Sequence, residues 1–264
     1  MGMNVLVTSG GTIEKIDSVR NISNVSTGKL CSLVADRFAD EPGVEKIYYV
    51  CSSTAIRPQS DKVEAITADS VADLESAVRS TLGRASVDVI VHGMAVSDYR
   101  VRAVTTMENI AGLIAGYIAQ RGEARAPYQD TAAEAAGIVA LLKDPGSVIS
   151  ADGKISSDVD DLLLFMERTP KIIPLFQSLA PKATLVGFKL LDGVPLDTLI
   201  DRGFEILVKN KCSFVLANDL RDVSGDRHIG YLIDDEKNYV RYESKMEIAA
   251  AIVSATMSER VRRS

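Results

Sequence analysis

The feature that most constrains the fold of this sequence is a nearly uninterrupted apolar segment at 87–96, VDVIVHGMAV. A strand with so few polar residues is covered on both faces, as the central strands of parallel sheets are. Before it, strand-like segments at 4–8 and 46–50 alternate with helical apolar spacing over 27–39 and 69–82. We therefore predict an α/β fold, a doubly wound, mostly parallel, Rossmann-like sheet with helices on both faces.

The second half of the chain resumes this alternation. Apolar runs and turn signals predict strands at 161–166, 184–188 and 213–219, helices starting near Pro170 and over 196–209 and 245–260, and a C-terminal β-hairpin at 229–242. Two alanine-rich helices, predicted over 107–120 and 130–143, lie between the two halves. We predict a single domain over 1–264 with a helical insertion at about 101–153.

Charge and composition exclude several classes of protein. The 264 residues include 30 Lys and Arg against 36 Asp and Glu, a net charge of −6, whereas nucleic acid and anionic membranes bind basic surfaces. Three cysteines and two histidines are too few for a disulfide framework or for a zinc site of several Cys and His ligands. No apolar run approaches the ~18–20 residues of a membrane span, and we expect no signal peptide, because no basic region and apolar stretch come before the first strand. We expect a cytoplasmic protein whose partners include neither nucleic acid nor a membrane.

Polar residues gather where four of the predicted strands end. These clusters are SGGT at 9–12, SDYR at 97–100, the residues after GF at 187–188, and AND at 217–219. In open α/β sheets, ligands bind beyond the carboxyl ends of the strands. Four polar clusters at such ends predict a ligand site at one edge of the sheet.

The first cluster and the segment after it favour an anionic ligand. Gly10 and Gly11 allow a tight turn that brings backbone N–H groups close to an anion, with Thr12 beside them. Downstream, Ser26, Thr27 and Gly28 precede a predicted helix whose free N–H groups form a second anion site, and Lys29 and Arg20 add positive charge. The structural alternative is an ordinary βα turn beside a solvated lysine. The glycine pair together with Lys29 and Arg20 favours a phosphate site.

Standard nucleotide motifs do not fit this segment. In STGK, position 23 is Ser where a P-loop needs Gly, and Leu30 replaces the hydroxyl that binds Mg²⁺. SGGTIE is not GxGxxG, and CSST at 51–54 offers no acidic reader of a ribose. The sequence also lacks the GxSxG elbow of α/β-hydrolases.

The motifs taken in order resemble those of one family, the phosphopantothenate–cysteine ligases (phosphopantothenoylcysteine synthetases) of coenzyme A biosynthesis, in the stand-alone bacterial form. The resemblance spans most of the chain. It rests on TSGGTIEKIDSVRNISNVSTGK at 8–29, AVSDYR at 95–100, KISS at 154–157, TPKII at 169–173, GF at 187–188 and AND at 217–219.

The resemblance implies an activity and its reactants. Such an enzyme activates the carboxylate of 4'-phosphopantothenate with CTP or ATP and Mg²⁺, forms an acyl-nucleotide with release of pyrophosphate, and transfers the acyl group to the amine of L-cysteine. It also implies a homodimer, with the decarboxylase of the next step on a separate protein. From the residues alone, an NAD(P)-dependent oxidoreductase on a similar sheet and a non-catalytic nucleotide-sensing module remain alternatives.

The resemblance also assigns roles to individual residues. Asn24 corresponds to a family residue that contacts the pantothenoyl group, and Lys154 to one that faces the reacting phosphate and carboxylate. Arg20, whose charge favours the phosphate site, completes the predicted catalytic set. A helix-capping Asn24 and a solvated Lys154 are the structural alternatives. The nucleotide and phosphate set comprises Met94, Ala95, Asp98, Ile172, Phe188 as an apolar wall, and either Lys209 or Lys211, together with the residues of 10–12 and 26–29 named above.

Overall fold

A computed structural model of the protein describes residues 2–120, 131–143, 149, 153–224 and 227–263. The strands are β1 Met3–Ser9, β2 Ile13–Lys15, β3 Asn21–Ser23, β4 Val44–Cys51, β5 Val63–Thr67, β6 Val89–His92, β7 Tyr99–Thr106, β8 Leu162–Arg168, β9 Thr184–Leu191, β10 Phe214–Asp219, β11 Val223–Ser224, β12 Arg227–Ile233 and β13 Tyr239–Ser244. The helices are α1 Lys29–Ala39, α2 Val71–Arg84, α3 Met107–Gln120, α4 Thr131–Lys143, α5 Ile173–Leu179, α6 Leu196–Asn210 and α7 Lys245–Arg263.

The chain separates into two units. Unit 1 comprises Met1–Ile13, Ser23–Asp98 and Pro170–Ser264, and unit 2 comprises Glu14–Ile22 and Tyr99–Thr169. Of the insertion predicted at about 101–153, residues 121–130, 144–148 and 150–152 lie outside the described residues.

Unit 1 is built on one mixed sheet. Its strands run in the order β11-β12-β10-β9-β6-β1-β4-β5, with β13 beside β12. The pairs from β5 to β10 are parallel, and β12 is antiparallel to β10, β11 and β13. The mostly parallel α/β fold and the C-terminal hairpin predicted from the sequence are confirmed.

The apolar segment at 87–96 forms the centre of this sheet, as predicted. Strand β6 lies between β1 and β9, and its Val89, Ile90 and Val91 are fully buried. One face of the sheet packs on a cluster that includes residues of α1 and α7, and the other on a cluster with residues of α2, α5 and α6. Helices therefore cover both faces, which is why the strand carries almost no polar side chains.

Helix α2 shows how local sequence sets an element boundary. Ser70 caps it: the Ser70 side chain accepts a hydrogen bond from the Asp73 amide, and the Asp73 carboxylate accepts one from the Ser70 amide. This reciprocal pair is a capping box. The helix predicted over 69–82 is thus confirmed with both ends two residues later, and Ser70, one of the two predicted caps, is its N-cap.

Unit 2 corrects two predictions. The strand predicted at 161–166 in the main sheet is β8, which pairs antiparallel with β7 in a separate two-stranded sheet. Tyr99 and Arg100, predicted as polar residues beyond a strand end, and residues 101–106, assigned to the helical insertion, together form β7. Alternation of polar and apolar residues at 100–103 and the β-branched residues that follow favour a strand there. The helices predicted over 107–120 and 130–143 are α3 and α4. No helix in the described part of the chain is long and apolar enough to span a bilayer.

Candidate active site

The carboxyl ends of four neighbouring strands define one edge of the unit 1 sheet. Strands β1, β6, β9 and β10 are parallel neighbours, so Ser9, His92, Leu191 and Asp219 end at the same edge. The cluster at 9–12 begins with the last residue of β1, the cluster at 217–219 forms the last three residues of β10, and Ser97 and Asp98 come after the end of β6. The GF pair at 187–188 instead lies inside β9, where Gly187 pairs with His92, because β9 continues to Leu191.

Beyond the strand ends, segments 8–12 and 93–97 remain joined by hydrogen bonds. The donors and acceptors are Gly93 N to Thr8 O (3.2 Å), Met94 N to Thr8 Oγ1 (3.3 Å), Ala95 N to Gly10 O (2.8 Å), Thr12 N to Ala95 O (3.1 Å) and Ser97 N to Thr12 Oγ1 (2.8 Å). Two of the acceptors are threonine side chains that are fully buried. Thr12, predicted as a phosphate contact, therefore uses its amide and its hydroxyl oxygen to hold Ala95 and Ser97.

Gly10 and Gly11 are required for two different reasons. Gly10 has a φ of +85°, a conformation that favours glycine. At Gly11, a Cβ atom would lie 2.1 Å from the carbonyl oxygen of Asn24. The glycine pair thus turns the chain and allows the Asn24 backbone to pack directly on it.

Asn24 is attached to this turn by two hydrogen bonds. Its amide donates to Thr12 O (3.3 Å), and its side-chain Nδ2 donates to Ala95 O (3.3 Å). The residue is exposed, and its Oδ1 has no hydrogen-bond partner among the described residues. The side chain is therefore held by its nitrogen and keeps its oxygen available to a ligand.

Helix α1 begins at Lys29, two residues later than predicted. Gly28 precedes it in the left-handed region, with a φ of +71°, so residues 26–28 are not helical. No side chain caps the helix within the described structure, although the Lys29 amide lies 3.4 Å from Thr27 Oγ1. Lys29 and Thr27 are exposed and Ser26 is half-buried. The amides of Leu30 and Cys31 make no hydrogen bond among the described residues, which suits the predicted anion site.

A buried pair of hydroxyl groups fixes Gly28 against β1. The Tyr49 hydroxyl donates to Ser9 Oγ (2.7 Å), and Ser9 Oγ donates to the carbonyl oxygen of Gly28 (3.2 Å). Burial raises the pKa of Tyr49, so its phenol stays neutral. These contacts join residues that are far apart in sequence, and no local motif predicts them.

The other residues predicted for the nucleotide lie on both faces of the edge. Met94 and Ile172 are buried in the cluster that includes residues of α2, α5 and α6, whereas Phe188 packs against the cluster that includes residues of α1 and α7. Asp98 is exposed and forms an ion pair with Lys171. Among the described residues, no three His, Cys, Asp or Glu side chains are grouped as a metal site.

Lys209 and Lys211 are not brought to this edge. Helix α6 ends at Asn210 and β10 begins at Phe214, so both lysines lie at the amino ends of the strands. The structure therefore does not support a phosphate contact from either lysine at the carboxyl edge of the sheet. The phosphate contact of Lys209 or Lys211 stays a prediction.

The carboxylate of Asp219 is a structural group at the end of β10. It accepts hydrogen bonds from the amides of Gly193 (3.0 Å), Arg221 (2.9 Å) and Val194 (3.0 Å), which hold its pKa below the usual value. It thus fixes the loop after β9. Beside it, the buried Asn218 makes no side-chain hydrogen bond within the described structure and was not predicted from the sequence as a site residue.

Unit 2 holds the two remaining catalytic candidates together through Asp17. Its buried carboxylate accepts hydrogen bonds from the amides of Val19 (2.8 Å), Arg20 (2.7 Å) and Ile155 (3.2 Å), and these hold its pKa below the usual value. The guanidinium of Arg20 donates to the Ile155 carbonyl oxygen (3.2 Å) and pairs with Asp17 (3.6 Å). Asp17 therefore joins Arg20 to the residue that follows Lys154, which is itself exposed.

Comparisons with known proteins agree with these motifs. Residues 1–109 match the family model described as the DNA/pantothenate metabolism flavoprotein C-terminal domain. The coenzyme A biosynthesis bifunctional protein CoaBC of Methanocaldococcus jannaschii is 27% identical over 263 residues, which cover 96% of this chain and 50% of that protein. The chain spans about half the length of the curated relatives that it matches over most of its own length.

Two solved structures share the fold. The DNA/pantothenate metabolism flavoprotein from Streptococcus pneumoniae has a TM-score of 0.76 and 29% identity, covering 98% of this chain and 100% of that one. A Cab2 variant in complex with phosphopantothenate-cysteine has a TM-score of 0.65 and 16% identity, covering 99% and 88%, and shows the fold alone. Together with the motifs in their order, the family model, the CoaBC relatives and the Streptococcus pneumoniae structure support the resemblance to the phosphopantothenate–cysteine ligases that the sequence predicts.

Proposed function

We propose that this protein joins 4'-phosphopantothenate to L-cysteine at the expense of a nucleoside triphosphate, in coenzyme A biosynthesis. The observation that carries the proposal is the edge at 9–12, 24–29 and 94–98. There, a glycine turn, an uncapped helix N-terminus and an anchored asparagine with a free carbonyl oxygen lie together. This edge offers donors for phosphates and an acceptor for an amide-like substrate.

The reaction requires an activated carboxylate, because a carboxylate oxygen is too poor a leaving group for amide formation. The proposed route transfers the nucleotide to the carboxylate, releases pyrophosphate, and lets the cysteine amine attack the acyl carbon with departure of the nucleotide. This route needs no nucleophile from the protein. Its demand is for positive charge and hydrogen-bond donors placed where negative charge develops.

Each unit, taken by itself, holds candidate residues for part of this demand. In unit 1, the first amides of α1 and the exposed Lys29 bind phosphates, and Asn24 binds the pantothenoyl amide. In unit 2, Arg20 and Lys154 are the cations proposed for the reacting groups, and the buried Asp17 bonds to the amides of Arg20 and of Ile155, the residue after Lys154. The pairing of Arg20 with Asp17 restricts the guanidinium to one geometry.

The bound nucleotide is proposed to be CTP, with ATP as the alternative, and Mg²⁺ to accompany it. Mg²⁺ usually takes one or two protein carboxylates and fills its other positions with phosphates and water. The described residues fit that pattern, because Asp98 is an exposed carboxylate at the edge and no larger acidic group is present among them. Mg²⁺ would offset phosphate charge there, in exchange for the ion pair with Lys171.

We also propose that the protein is a homodimer. Strand β13 is an outer strand of the sheet, paired with β12, and exposes Tyr239 and Val240. Exposed apolar outer strands favour pairing with another chain. Light scattering at micromolar concentration should give twice the mass of 28.4 kDa, and a monomeric mass would contradict this part of the proposal.

One assay tests the function against its alternatives. The protein is incubated with phosphopantothenate, Mg²⁺ and either CTP or ATP, and pyrophosphate is measured before and after L-cysteine is added. We expect pyrophosphate before cysteine, then phosphopantothenoylcysteine after it. A diphosphate with inorganic phosphate would indicate an acyl-phosphate route instead. Absence of turnover with either nucleotide would contradict the ligase, and tight binding of NAD(P) would then favour the oxidoreductase.

A further inference from the structure

A histidine that has no role in the proposed reaction lies directly behind the site. His92 is the last residue of β6 and is about nine-tenths buried. Its Nδ1 lies 2.7 Å from Thr8 Oγ1, and the same Oγ1 accepts the hydrogen bond of the Met94 amide at 3.3 Å. Thr8 thus connects the imidazole to the backbone of Met94, which belongs with Ala95 to the predicted nucleotide set.

The available protons determine which group donates in the hydrogen bond between Thr8 and His92. The Met94 N–H donates to Thr8 Oγ1, so the hydroxyl proton of Thr8 is free to donate elsewhere. Thr8 is fully buried, and its hydroxyl contacts His92 and the Met94 amide alone among the described residues. A buried hydroxyl proton without an acceptor costs about 1–3 kcal/mol, so the proton is donated to Nδ1. His92 is therefore the neutral tautomer with its proton on Nε2.

The surroundings of His92 support a neutral ring. Its imidazole packs against Phe176 of α5, with ring centroids 5.0 Å apart, and burial lowers its pKa to about 4. A neutral ring keeps the Nδ1 lone pair as an acceptor across the physiological range of pH. The orientation of the Thr8 hydroxyl is then set by His92, and the Met94 amide receives its acceptor.

We propose that His92 is a positioning residue for the nucleotide site: acting through Thr8, it fixes the backbone of Met94 and Ala95. This inference rests on the proposed function, because it takes these two residues as part of a nucleotide site. Without the imidazole acceptor, the Thr8 hydroxyl turns away from the Met94 amide. The segment after β6 then loses one of the side-chain bonds that hold it beyond the strand end.

Calorimetric titrations of CTP and, in parallel, of ATP with Mg²⁺ test the proposal. The variants are His92→Leu, which removes the acceptor, His92→Asn, whose amide can replace Nδ1, and Thr8→Val, which removes the hydroxyl. We expect about 10-fold weaker binding for His92→Leu and for Thr8→Val, and binding within about 3-fold of wild type for His92→Asn. Because His92 and Thr8 act through the hydrogen bond between them, the double variant His92→Leu with Thr8→Val should bind nucleotide no more weakly than either single variant.

A matched control separates positioning from stability. Thr256 is fully buried in α7, and its hydroxyl bonds within the helix to the carbonyl oxygens of Ile252 and Val253 (both 2.9 Å). Thr256→Val should lower the melting temperature as His92→Leu does and leave nucleotide binding unchanged. Equal weakening of binding in this control would make the effect one of stability and overturn the proposal.

The remaining outcomes separate failure of the proposed function from failure of the positioning role. If the wild-type protein binds neither nucleotide, the proposed function fails and this inference fails with it. If the wild-type protein binds and His92→Leu binds equally well, the positioning role alone is overturned. Should His92→Leu fail to fold, His92→Asn and Thr8→Val settle the question by the same criterion.

Discussion

Stability between pH 7 and 5 should depend on the two histidines of the chain, because both are buried. Burial lowers the pKa of His92 from 6.5 to about 4, and burial together with the nearby charge of Lys245 lowers the pKa of His228 to about 4. The unfolded chain takes up these protons near pH 6.5, whereas the folded protein does so only near pH 4. Their contribution to stability is therefore fully present above pH 6.5 and is lost as the pH falls toward 4.

The size of this loss follows from the two pKa values. A pKa that differs by one between the folded and unfolded states corresponds to about 1.4 kcal/mol, so each histidine contributes about 3 kcal/mol in full. Between pH 7 and 5, linkage gives a loss of about 2 kcal/mol for each, or about 4 kcal/mol in total. Against a typical free energy of unfolding of about 5–15 kcal/mol, this is a large fraction. Asp17 and Asp219 do not contribute in this range, because their pKa values are held below the usual 3.8.

Urea unfolding followed by circular dichroism at pH 7, 6 and 5 and constant ionic strength measures this effect. His228→Leu should remove about half of the pH dependence. It should also raise stability at pH 7, since neither ring nitrogen of His228 has a hydrogen-bond partner in the described structure. His92→Asn should remove the other half. A wild-type change below about 1 kcal/mol between pH 7 and 5 would refute the reasoning, because it would mean that neither ring is shielded from water.

Three further predictions concern the site. Gly11→Ala should reduce pyrophosphate release at least ~10-fold and lower the free energy of unfolding by about 1–3 kcal/mol, because the new Cβ overlaps the Asn24 backbone; unchanged activity would contradict the close approach. Lys154→Gln should lower turnover by about 10²–10³ with little change in melting temperature, while the exposed Lys182→Gln serves as its control; turnover near that of wild type would remove Lys154 from the site. Asp17→Asn should lower the urea midpoint of unfolding and reduce turnover at least ~10-fold, since one amide oxygen cannot accept all three backbone bonds and Arg20 loses its partner; full activity would separate Asp17 from the site.

The sequence predicted the elements whose signal is local. The apolar run that became β6, the capping residues of α2 and the turn before β13 each carry their own pattern, and each was recognised. Strand β5 (VEAIT) was missed, because its five residues show neither a continuous apolar run nor a clear alternation, and none of them is buried. The pairing of β8 with β7 was also missed, since LLLFM predicts a buried strand without indicating its partner.

The sequence predicted which residues form the site better than it predicted the hydrogen bonds that hold them. The glycine pair, Asn24 and the start of α1 were named from their motifs, and the structure brings them to one edge. The roles of Thr8, Tyr49 and Asp17 depend on partners far along the chain, and their own residue types are ordinary in strands and turns. Lys209 and Lys211 were named from a motif match alone, which does not indicate that one lies in the last turn of α6 and the other directly after it.

The buried carboxylate of Asp17 bonds to the amide of Ile155, 138 residues further along the chain. Unit 2 therefore cannot complete this contact during synthesis until the first two segments of unit 1 have been made, and closing so long a loop is slow. The same discontinuity restricts how the protein can be recombined. A chimaera that exchanges Tyr99–Thr169 with that of a relative must exchange Glu14–Ile22 as well, or Arg20 will lose the partners that hold it in place.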